Sequence, residues 1–263
     1  MRDCDGINER ARGGARRGTG FVSVHADDVA FACVGLIRRR VLPEPYYLVT
    51  VFTVSQHHAD PDLSGMPAKE VAKIRESEDR EFARQLGLTY CGLGLRDEPD
   101  RLLSNAGAFQ TTLEAVRARL RGVIDEVGCE AVVSPWPYGR RQHVHHRLVH
   151  QACSSAFVGS ADVDLFLVDD QPYSRRPTTR TWLDDRCYEP FVVHLCPDEV
   201  RAKLEAIAVY RSQIRAEYVY FVQQPLPEDP TGQPSETIWV PSLPRAVSML
   251  DLSEPARATA GLG

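Results

Sequence analysis

The 263-residue sequence lacks the features that mark membrane, secreted and nucleic-acid-binding proteins. No apolar run approaches the roughly 18 residues that a membrane-spanning helix needs, and nothing at the start resembles the apolar stretch of a secretory signal. No block of basic residues is long enough to indicate a nucleic-acid-binding surface, and the formal net charge is -5. The sequence therefore predicts a protein that binds neither membrane nor nucleic acid.

Paired cysteine motifs are also missing. The seven cysteines are odd in number, are scattered along the chain and form no CxxC pair. That usage is typical of reduced thiols rather than of a disulfide framework, so we expect a cytoplasmic protein.

What the chain does have is a regular alternation of strands and helices. Apolar and β-branched runs predict strands at residues 21–24, 46–54, 88–95, 131–136, 163–168 and 218–222. Segments with helical periodicity predict helices at residues 29–40, 68–86, 106–127, 144–158 and 197–213. Helices between strands require crossover connections, so we predict an α/β protein, Rossmann-like, with three α/β/α layers and a mostly parallel sheet. No GxGxxG follows the first strand, so a dinucleotide cofactor is not expected.

The predicted domain covers residues 20–252. Residues 1–19 are basic and Gly-rich and are expected to form a disordered arm, and residues 253–263 are expected to form a frayed tail. Residues 169–190 form a long irregular stretch rich in Pro, Arg and aromatic side chains, which is typical of a functional or mobile loop.

Metal-ligating side chains follow two of the predicted strands. The strand at residues 21–24 is followed by His25, Asp27 and Asp28, and a later strand is followed by three histidines within residues 143–146. We expect Asp28 at or near the N-cap of the next helix. Sites in parallel sheets form at the carboxyl ends of strands, so the two clusters are predicted to meet.

The donor set suggests metal-assisted hydrolysis of an amide. His25, Asp28 and His146 can supply two imidazoles and a carboxylate, which is a common ligand set of catalytic zinc, although iron(II) also suits it. Asp27 is then the candidate general base that takes a proton from water and passes it to a leaving amine. His143, three residues before His146, could donate a hydrogen bond to the carbonyl oxygen as charge develops.

Other histidines are weaker candidates. His150 lies one helical turn after His146 and is a rival ligand, although a structural role is favoured. His57 and His58 lie in a polar loop and are expected to be solvated, and His194 is expected to be a core or capping residue.

Several motifs resemble the PIG-L/LmbE-like family of zinc-dependent N-deacetylases. Its first motif, a strand followed by His-Pro-Asp-Asp-Glu, corresponds to residues 25–29, and its second, Pro-x-x-Gly with a following His-x-Asp-His, to residues 135–139 and 143–146. The resemblance spans about residues 20–240. Two further patterns, Arg-x-x-Glu before Leu-Gly and a late Tyr-x-Ser-Gln, match at Arg75, Glu78, Leu86, Gly87, Tyr210, Ser212 and Gln213.

The resemblance implies the same residue roles as the chemistry above. It assigns His25, Asp28 and His146 to the metal, Asp27 to the general base and His143 to the carbonyl. It also implies removal of an N-acetyl group from an N-acetylglucosamine-type sugar or a sugar-containing natural-product intermediate. The alternatives are another amide hydrolase, such as a thiol-conjugate amidase, and a catalytically silent relative that binds metal or ligand.

Three positions depart from the family motifs. Val29 replaces the Glu of the first motif, Val34 replaces a Gly, and His145 replaces the Asp between the two histidines. None of these changes removes a predicted ligand. His145 leaves open which of the adjacent histidines binds metal, and the motif register favours His146.

Arginines beside the predicted site suggest an anionic substrate group. Arg140 and Arg141 replace what is often a Gly-rich approach, and Arg75 is a further candidate. We predict that they recognise a phosphate or carboxylate on the substrate. The alternative is a solvated loop.

Overall fold

A computed structural model describes residues 3–4, 17–136, 143–171, 188–214, 219–220, 231–242 and 244–250. Within them, eight strands form one sheet in the order β1-β4-β3-β2-β5-β6-β8-β7. The five strands from β4 to β6 in that order are parallel, and β1 and β8 are antiparallel to the strands beside them. The strands are β1 (Asp3–Cys4), β2 (Thr19–Ser23), β3 (Tyr46–Thr50), β4 (Leu88–Gly92), β5 (Ala131–Trp136), β6 (Asp164–Asp169), β7 (Tyr188–His194) and β8 (Ser235–Pro241).

Helices cover both faces of this sheet. One apolar core lies between the sheet and helices α1, α2, α3 and α7, and a second lies between the sheet and α4, α5 and α6. The predicted three-layer, mostly parallel α/β fold is therefore confirmed. The helices are α1 (Asp28–Ala32), α2 (Val34–Arg38), α3 (Ala68–Leu86), α4 (Pro99–Ser104), α5 (Ala106–Val127), α6 (Val144–Phe157), α7 (Pro197–Ile207) and α8 (Pro244–Ser248).

The two longest helices end where local chemistry predicts. Gly87 after α3 and Gly128 after α5 take left-handed conformations, with φ of 73° and 71°, which side chains disfavour. The side chain of Asn105 accepts a hydrogen bond from the amide of Ala108 and caps the start of α5. These local signals explain why both predicted helices have the observed bounds.

The predicted helix at residues 29–40 is wrong in detail, because it is two short helices separated at Cys33. The break leaves backbone N–H groups at the start of α2 without helical acceptors. The Oε2 atom of Glu236 in β8 accepts one of them, from Leu36 at 3.0 Å. A Cβ at Gly35 would overlap Cδ2 of Leu195 and lie 3.0 Å from the same carboxylate oxygen, so glycine allows this close packing.

The C-terminal part of the prediction also needs correction. Val219 and Tyr220, the two described residues of the predicted strand at residues 218–222, are helical. The helix predicted at residues 197–213 ends at Ile207. Strands β7 and β8 were not predicted. The predicted irregular stretch at residues 169–190 lies largely outside the described residues.

The predicted termini lie mostly outside the described residues as well. Asp3–Cys4 pairs with β4, and Thr19 already belongs to β2, but the remaining residues before residue 17 and those after residue 250 are not described. The predicted boundaries of arm, domain and tail therefore stay predictions. No helix within the described ranges is both long and apolar enough to cross a membrane.

The sheet has its switch point between β2 and β5. From β2 the chain moves outward through β3 to β4, and after α5 it returns to β5 on the other side of β2. Parallel pairing aligns Thr19 with Ala131, so the carboxyl ends of β2 and β5 lie side by side. Such a crevice is where open α/β sheets bind ligands.

Candidate metal centre

The turn after β2 is held by a serine. The Ser23 hydroxyl donates to the carbonyl of His25 at 2.5 Å and accepts from the amide of Val29 at 3.3 Å. The amide of His25 donates to Oδ2 of Asp28 at 2.6 Å. Asp27 occupies the N-cap position of α1, and Asp28, predicted at or near the N-cap, is the first helical residue. This turn fixes the Asp28 carboxylate next to His25.

Three predicted ligands converge at this turn. One ligand atom from each of His25, Asp28 and His146 lies within 4.8 Å of the others. Nδ1 of His25 is 3.7 Å from Oδ2 of Asp28, and Nε2 of His146 is 3.7 Å from Oδ1 of the same carboxylate. His146 is 1% exposed and Asp28 is 8% exposed. The geometry therefore brings together a set of two imidazoles and one carboxylate that can hold a metal.

A carboxylate that was not predicted orients His146. Asp170 lies just after β6, and its Oδ2 is 2.8 Å from Nδ1 of His146. Burial lowers the pKa of His146, but the charges of Asp170 and Asp28 outweigh it and raise the pKa to about 9. A ligand histidine commonly donates its second ring N–H to a carboxylate, which turns its other nitrogen towards the metal. The available sequence signal for Asp170 was its position two residues after the strand predicted at residues 163–168.

Asp27 lies beside the donor set without belonging to it. Burial raises its pKa well above the usual carboxyl range, and the negative charge of Asp28 raises it further, whereas the positive charge of Arg75 lowers it. A carboxylate in such surroundings binds protons more readily than a solvated one. This is the property that a general base requires.

His143 faces the same site from the start of α6. Its ring centroid is 5.2 Å from that of His25 and 5.5 Å from that of His146. Burial and then the charge of His146 lower the pKa of His143, which favours the neutral ring. Its Nδ1 atom has no hydrogen-bond partner among the described residues. A neutral imidazole in this position can still donate one hydrogen bond.

His145 belongs to a different part of the cluster from His146. Its Nδ1 atom is 3.0 Å from Nε2 of His25 and 3.2 Å from Oδ1 of Asp97. Oδ2 of Asp97 accepts a hydrogen bond from the hydroxyl of Ser55 at 2.7 Å. His146 thus faces Asp28, as the motif register favoured, and His145 faces Asp97. Asp97 was not singled out in the sequence, although it lies two residues after the strand predicted at residues 88–95.

The weaker histidine candidates belong to neither donor group of the described residues. His150 is in neither group of described residues that could hold a metal, and burial lowers its pKa to about 4. His57 is exposed, and its backbone carbonyl accepts from Arg75. His194 is half-buried, with Nδ1 3.4 Å from the Thr231 hydroxyl.

Arg75 lies behind the acidic turn. It projects from α3, is 2% exposed, and its Nη1 donates to the carbonyl of His57 at 3.5 Å. Its charge lowers the pKa of both Asp27 and Asp28. Arg140 and Arg141, the other two arginines predicted to bind substrate, lie outside the described residues.

The two shorter motifs contact each other. Glu78 accepts hydrogen bonds from the amide of Ser212 at 2.8 Å and from its hydroxyl at 2.5 Å. The amide side chain of Gln213 donates to the carbonyl of His57 at 3.4 Å. These bonds join α3 to the segment after α7 and to the loop that contacts Arg75, so the motif residues build one wall of the site.

Comparison with known proteins agrees with this geometry. The PIG-L family, described as GlcNAc-PI de-N-acetylase, matches residues 21–157. The 2'-N-acetylparomamine deacetylase of Streptomyces fradiae is 31% identical over 224 residues, which cover 81% of this chain and 78% of that protein.

Two solved structures share the fold. The A40926 pseudoaglycone deacetylase Dbv21 has a TM-score of 0.66 at 19% identity, covering 85% of this chain and 96% of its own. The zinc-inhibited form of the teicoplanin deacetylase Orf2 has a TM-score of 0.66 at 19% identity, covering 85% of this chain and 98% of its own. Together with the family match over residues 21–157, the Streptomyces relative shows that this chain belongs to the PIG-L family of de-N-acetylases.

Proposed function

We propose that this protein is a zinc-dependent N-deacetylase that hydrolyses the acetamido group of an amino sugar in a natural-product intermediate. The observation that carries the proposal is the convergence of His25, Asp28 and His146 within 4.8 Å. Asp27 lies beside this set, at the carboxyl ends of two neighbouring strands. Family membership supports the same reaction.

The donor set fits a catalytic zinc ion. His25, Asp28 and His146 match the two-histidine, one-carboxylate sets that leave a position open for water. The contact between His146 and Asp170 is the kind of support that such ligands use. When bound, zinc polarises a carbonyl and lowers the pKa of water to about 7. Iron(II) remains the alternative metal, since it accepts the same donors.

Asp27 supplies the proton transfers. Its carboxylate takes a proton from the attacking water as the new C–O bond forms at the amide carbon. The same group then gives that proton to the amine nitrogen as the C–N bond breaks, so acetate and a free amino sugar result. A single base that becomes an acid balances both halves of the reaction.

His143 stabilises the charge that develops on the carbonyl oxygen. Its neutral ring can donate an N–H to that oxygen. Because the donor is already fixed at the start of α6, little reorganisation is required when the charge appears.

The substrate class comes from the relatives. The Streptomyces protein acts, by its name, on 2'-N-acetylparomamine, and the structural neighbours are named as deacetylases of the A40926 pseudoaglycone and of teicoplanin. We therefore favour an acetamido sugar joined to a larger aglycone. Recognition of an anionic group by Arg75, Arg140 and Arg141 stays part of this proposal, as does a cytoplasmic location.

Acetate release is the direct test. The purified protein should release acetate from 2'-N-acetylparomamine or N-acetylglucosamine conjugates, lose that activity with a chelator, and regain it with zinc or iron(II). The corresponding sugars with a free amino group serve as controls. Acetate release that a chelator leaves unchanged would overturn the metal-dependent mechanism. Metal binding without turnover of any acetamido sugar would instead favour a silent binding protein.

A further inference from the structure

A second group of donors lies on the other edge of the His25 ring. Nδ1 of His25 faces Asp28, whereas its Nε2 is 3.0 Å from Nδ1 of His145 and 4.0 Å from Oδ2 of Asp97. Nδ1 of His145 is in turn 3.2 Å from Oδ1 of Asp97. Two imidazole nitrogens and a carboxylate therefore converge away from the first donor set.

These spacings match those of zinc ligands. Ligand atoms placed about 2.1 Å from a tetrahedral zinc ion are about 3.4 Å from each other. Nδ1 of His145 is 3.0 Å from Nε2 of His25 and 3.2 Å from Oδ1 of Asp97, both near that value, and the other oxygen of Asp97 is 4.0 Å from Nε2 of His25. His143 lies close enough to add a fourth donor, because His25, His143 and His145 each offer an atom within 4.8 Å of the others.

Two acceptor atoms of this trio face each other when His25 binds a metal. If His25 binds a metal through Nδ1, its Nε2–H donates to Nδ1 of His145. That nitrogen then presents a lone pair to the Asp97 carboxylate, and no proton separates the two acceptors. His145 is 0% exposed, so water does not separate these atoms. Buried polar groups in such an arrangement are costly without a compensating partner.

We propose that His145, Asp97 and the Nε2 atom of His25 form a second site for a divalent cation such as zinc, which inhibits the enzyme when it is filled. The two sites share the His25 ring, so a cation in one site repels a cation in the other. The second ion should therefore bind more weakly than the first and occupy its site only when zinc is in excess. Its inhibitory effect rests on the proposed function, because the second ion would occupy His25 and His143, which the proposed reaction requires.

Two features specific to this chain support the site. His145 stands where the resembled motif has Asp, so the second imidazole is an addition to that motif. Asp97 is held in place by the Ser55 hydroxyl, and the ring of His145 packs against Phe52 with centroids 4.2 Å apart. The two donors are thus fixed before any cation arrives.

Zinc stoichiometry tests the site without a substrate. The full chain, carrying Cys196→Ser to remove an exposed thiol, should take up a tight and a weaker equivalent of zinc. In that background, Asp97→Asn and His145→Gln should each retain the tight equivalent and lose the weaker one. Asp170→Asn is the matched control, since it should weaken the tight equivalent only. A single equivalent in the parent chain, two in both variants, or loss of both equivalents in both variants would overturn the proposal.

Inhibition supplies the second readout. In the parent chain, turnover with excess zinc should be at least several-fold lower than turnover with one equivalent of zinc. In His145→Gln the two rates should be nearly equal. Equal inhibition of both proteins would remove the regulatory part. If no deacetylase activity is found at all, the stoichiometry still decides the second site, so its failure and that of the proposed function are distinguishable.

Discussion

Nδ1 of His146 lies 2.8 Å from Oδ2 of Asp170, and both side chains are buried. This pair links the histidine after β5 to a carboxylate after β6, the next strand in the sheet. Its effect on the metal can be measured directly. Asp170→Asn should weaken metal affinity by about 10- to 100-fold, the usual cost of losing such a contact. A zinc competition titration with a chromophoric chelator would show it.

Asp169→Asn is the control for that experiment. Its Oδ1 accepts from the indole N–H of Trp239 at 2.8 Å, and an amide oxygen can accept the same bond. Metal affinity should therefore stay near that of the unmodified protein. Equal losses in the two variants would mean that Asp170 acts through general folding and not through His146.

Asp27→Asn should separate proton transfer from metal binding. The amide cannot take a proton from water, so kcat should fall by about 100- to 10,000-fold, the usual contribution of general acid–base catalysis. Bound metal, measured by elemental analysis after dialysis, should remain at the level of the unmodified protein. Loss of the metal together with activity would contradict the assignment of Asp27 as base rather than ligand.

His143→Ala should affect the transition state more than substrate binding. Removing one oxyanion donor typically lowers kcat by about 100- to 1,000-fold. KM for the acetamido sugar should change little, because the charge on the oxygen is small before reaction. His150→Ala, on the same helix but outside both donor groups, should keep kcat within a few-fold. A large loss of kcat in His150→Ala with little change in His143→Ala would instead assign the hydrogen bond to the carbonyl oxygen to His150.

Asp79 should make stability depend on pH. Burial raises its pKa to about 7, whereas a carboxyl in an unfolded chain titrates near ~3.9. Between these values the folded state keeps a proton that the unfolded state has lost. The free energy of unfolding therefore falls as pH rises, by up to about 1.4 kcal/mol per pH unit from this group.

Asp79→Asn should remove that component while still accepting from the Tyr210 hydroxyl, which is now 3.0 Å from Oδ1. Guanidinium unfolding at about pH 5 and about pH 7 would show a smaller decline than in the unmodified protein. Asp100→Asn, at an exposed position, provides the reference. A decline equal to that of the unmodified protein would show that Asp79 titrates normally.

The buried side chains of Lys203 and Glu236 should support stability only when both are present. Nζ and Oε1 are 2.8 Å apart, and the side chains are 1% and 0% exposed. Lys203→Met leaves the carboxylate uncompensated and should cost about 3–5 kcal/mol of unfolding free energy. The double variant Lys203→Met/Glu236→Gln keeps an acceptor for the amide of Leu36 and should recover part of that loss. No recovery in denaturant titrations would argue against a charge effect.

Sequence reasoning placed the first donor set because its signals are local. His25, Asp28 and His146 each follow a strand with a clear apolar pattern, and parallel sheets gather strand ends at one edge. Asp97 and Asp170 escaped notice, because their roles depend on histidines from distant segments. No spacing along the chain indicates that Asp97 reaches His145.

The same distinction explains the errors in the fold. The break at Cys33 is stabilised by Glu236, a partner 200 positions away that a local helical pattern cannot reveal. Strand β7 contains Pro190, which argues against a strand in the middle of a sheet. It is tolerated because β7 is an edge strand that pairs with β8 alone in the observed order.

The adjacency of β2 and β5 has a consequence for how the protein matures. The acidic turn after β2 and the histidines of α6 are far apart in sequence. They become neighbours only when β2 pairs with β5. A metal ion held by this donor set would therefore bind only after β2 and β5 have paired. A supply of free zinc should then raise the yield of native enzyme by mass action, even in variants that cannot turn over substrate.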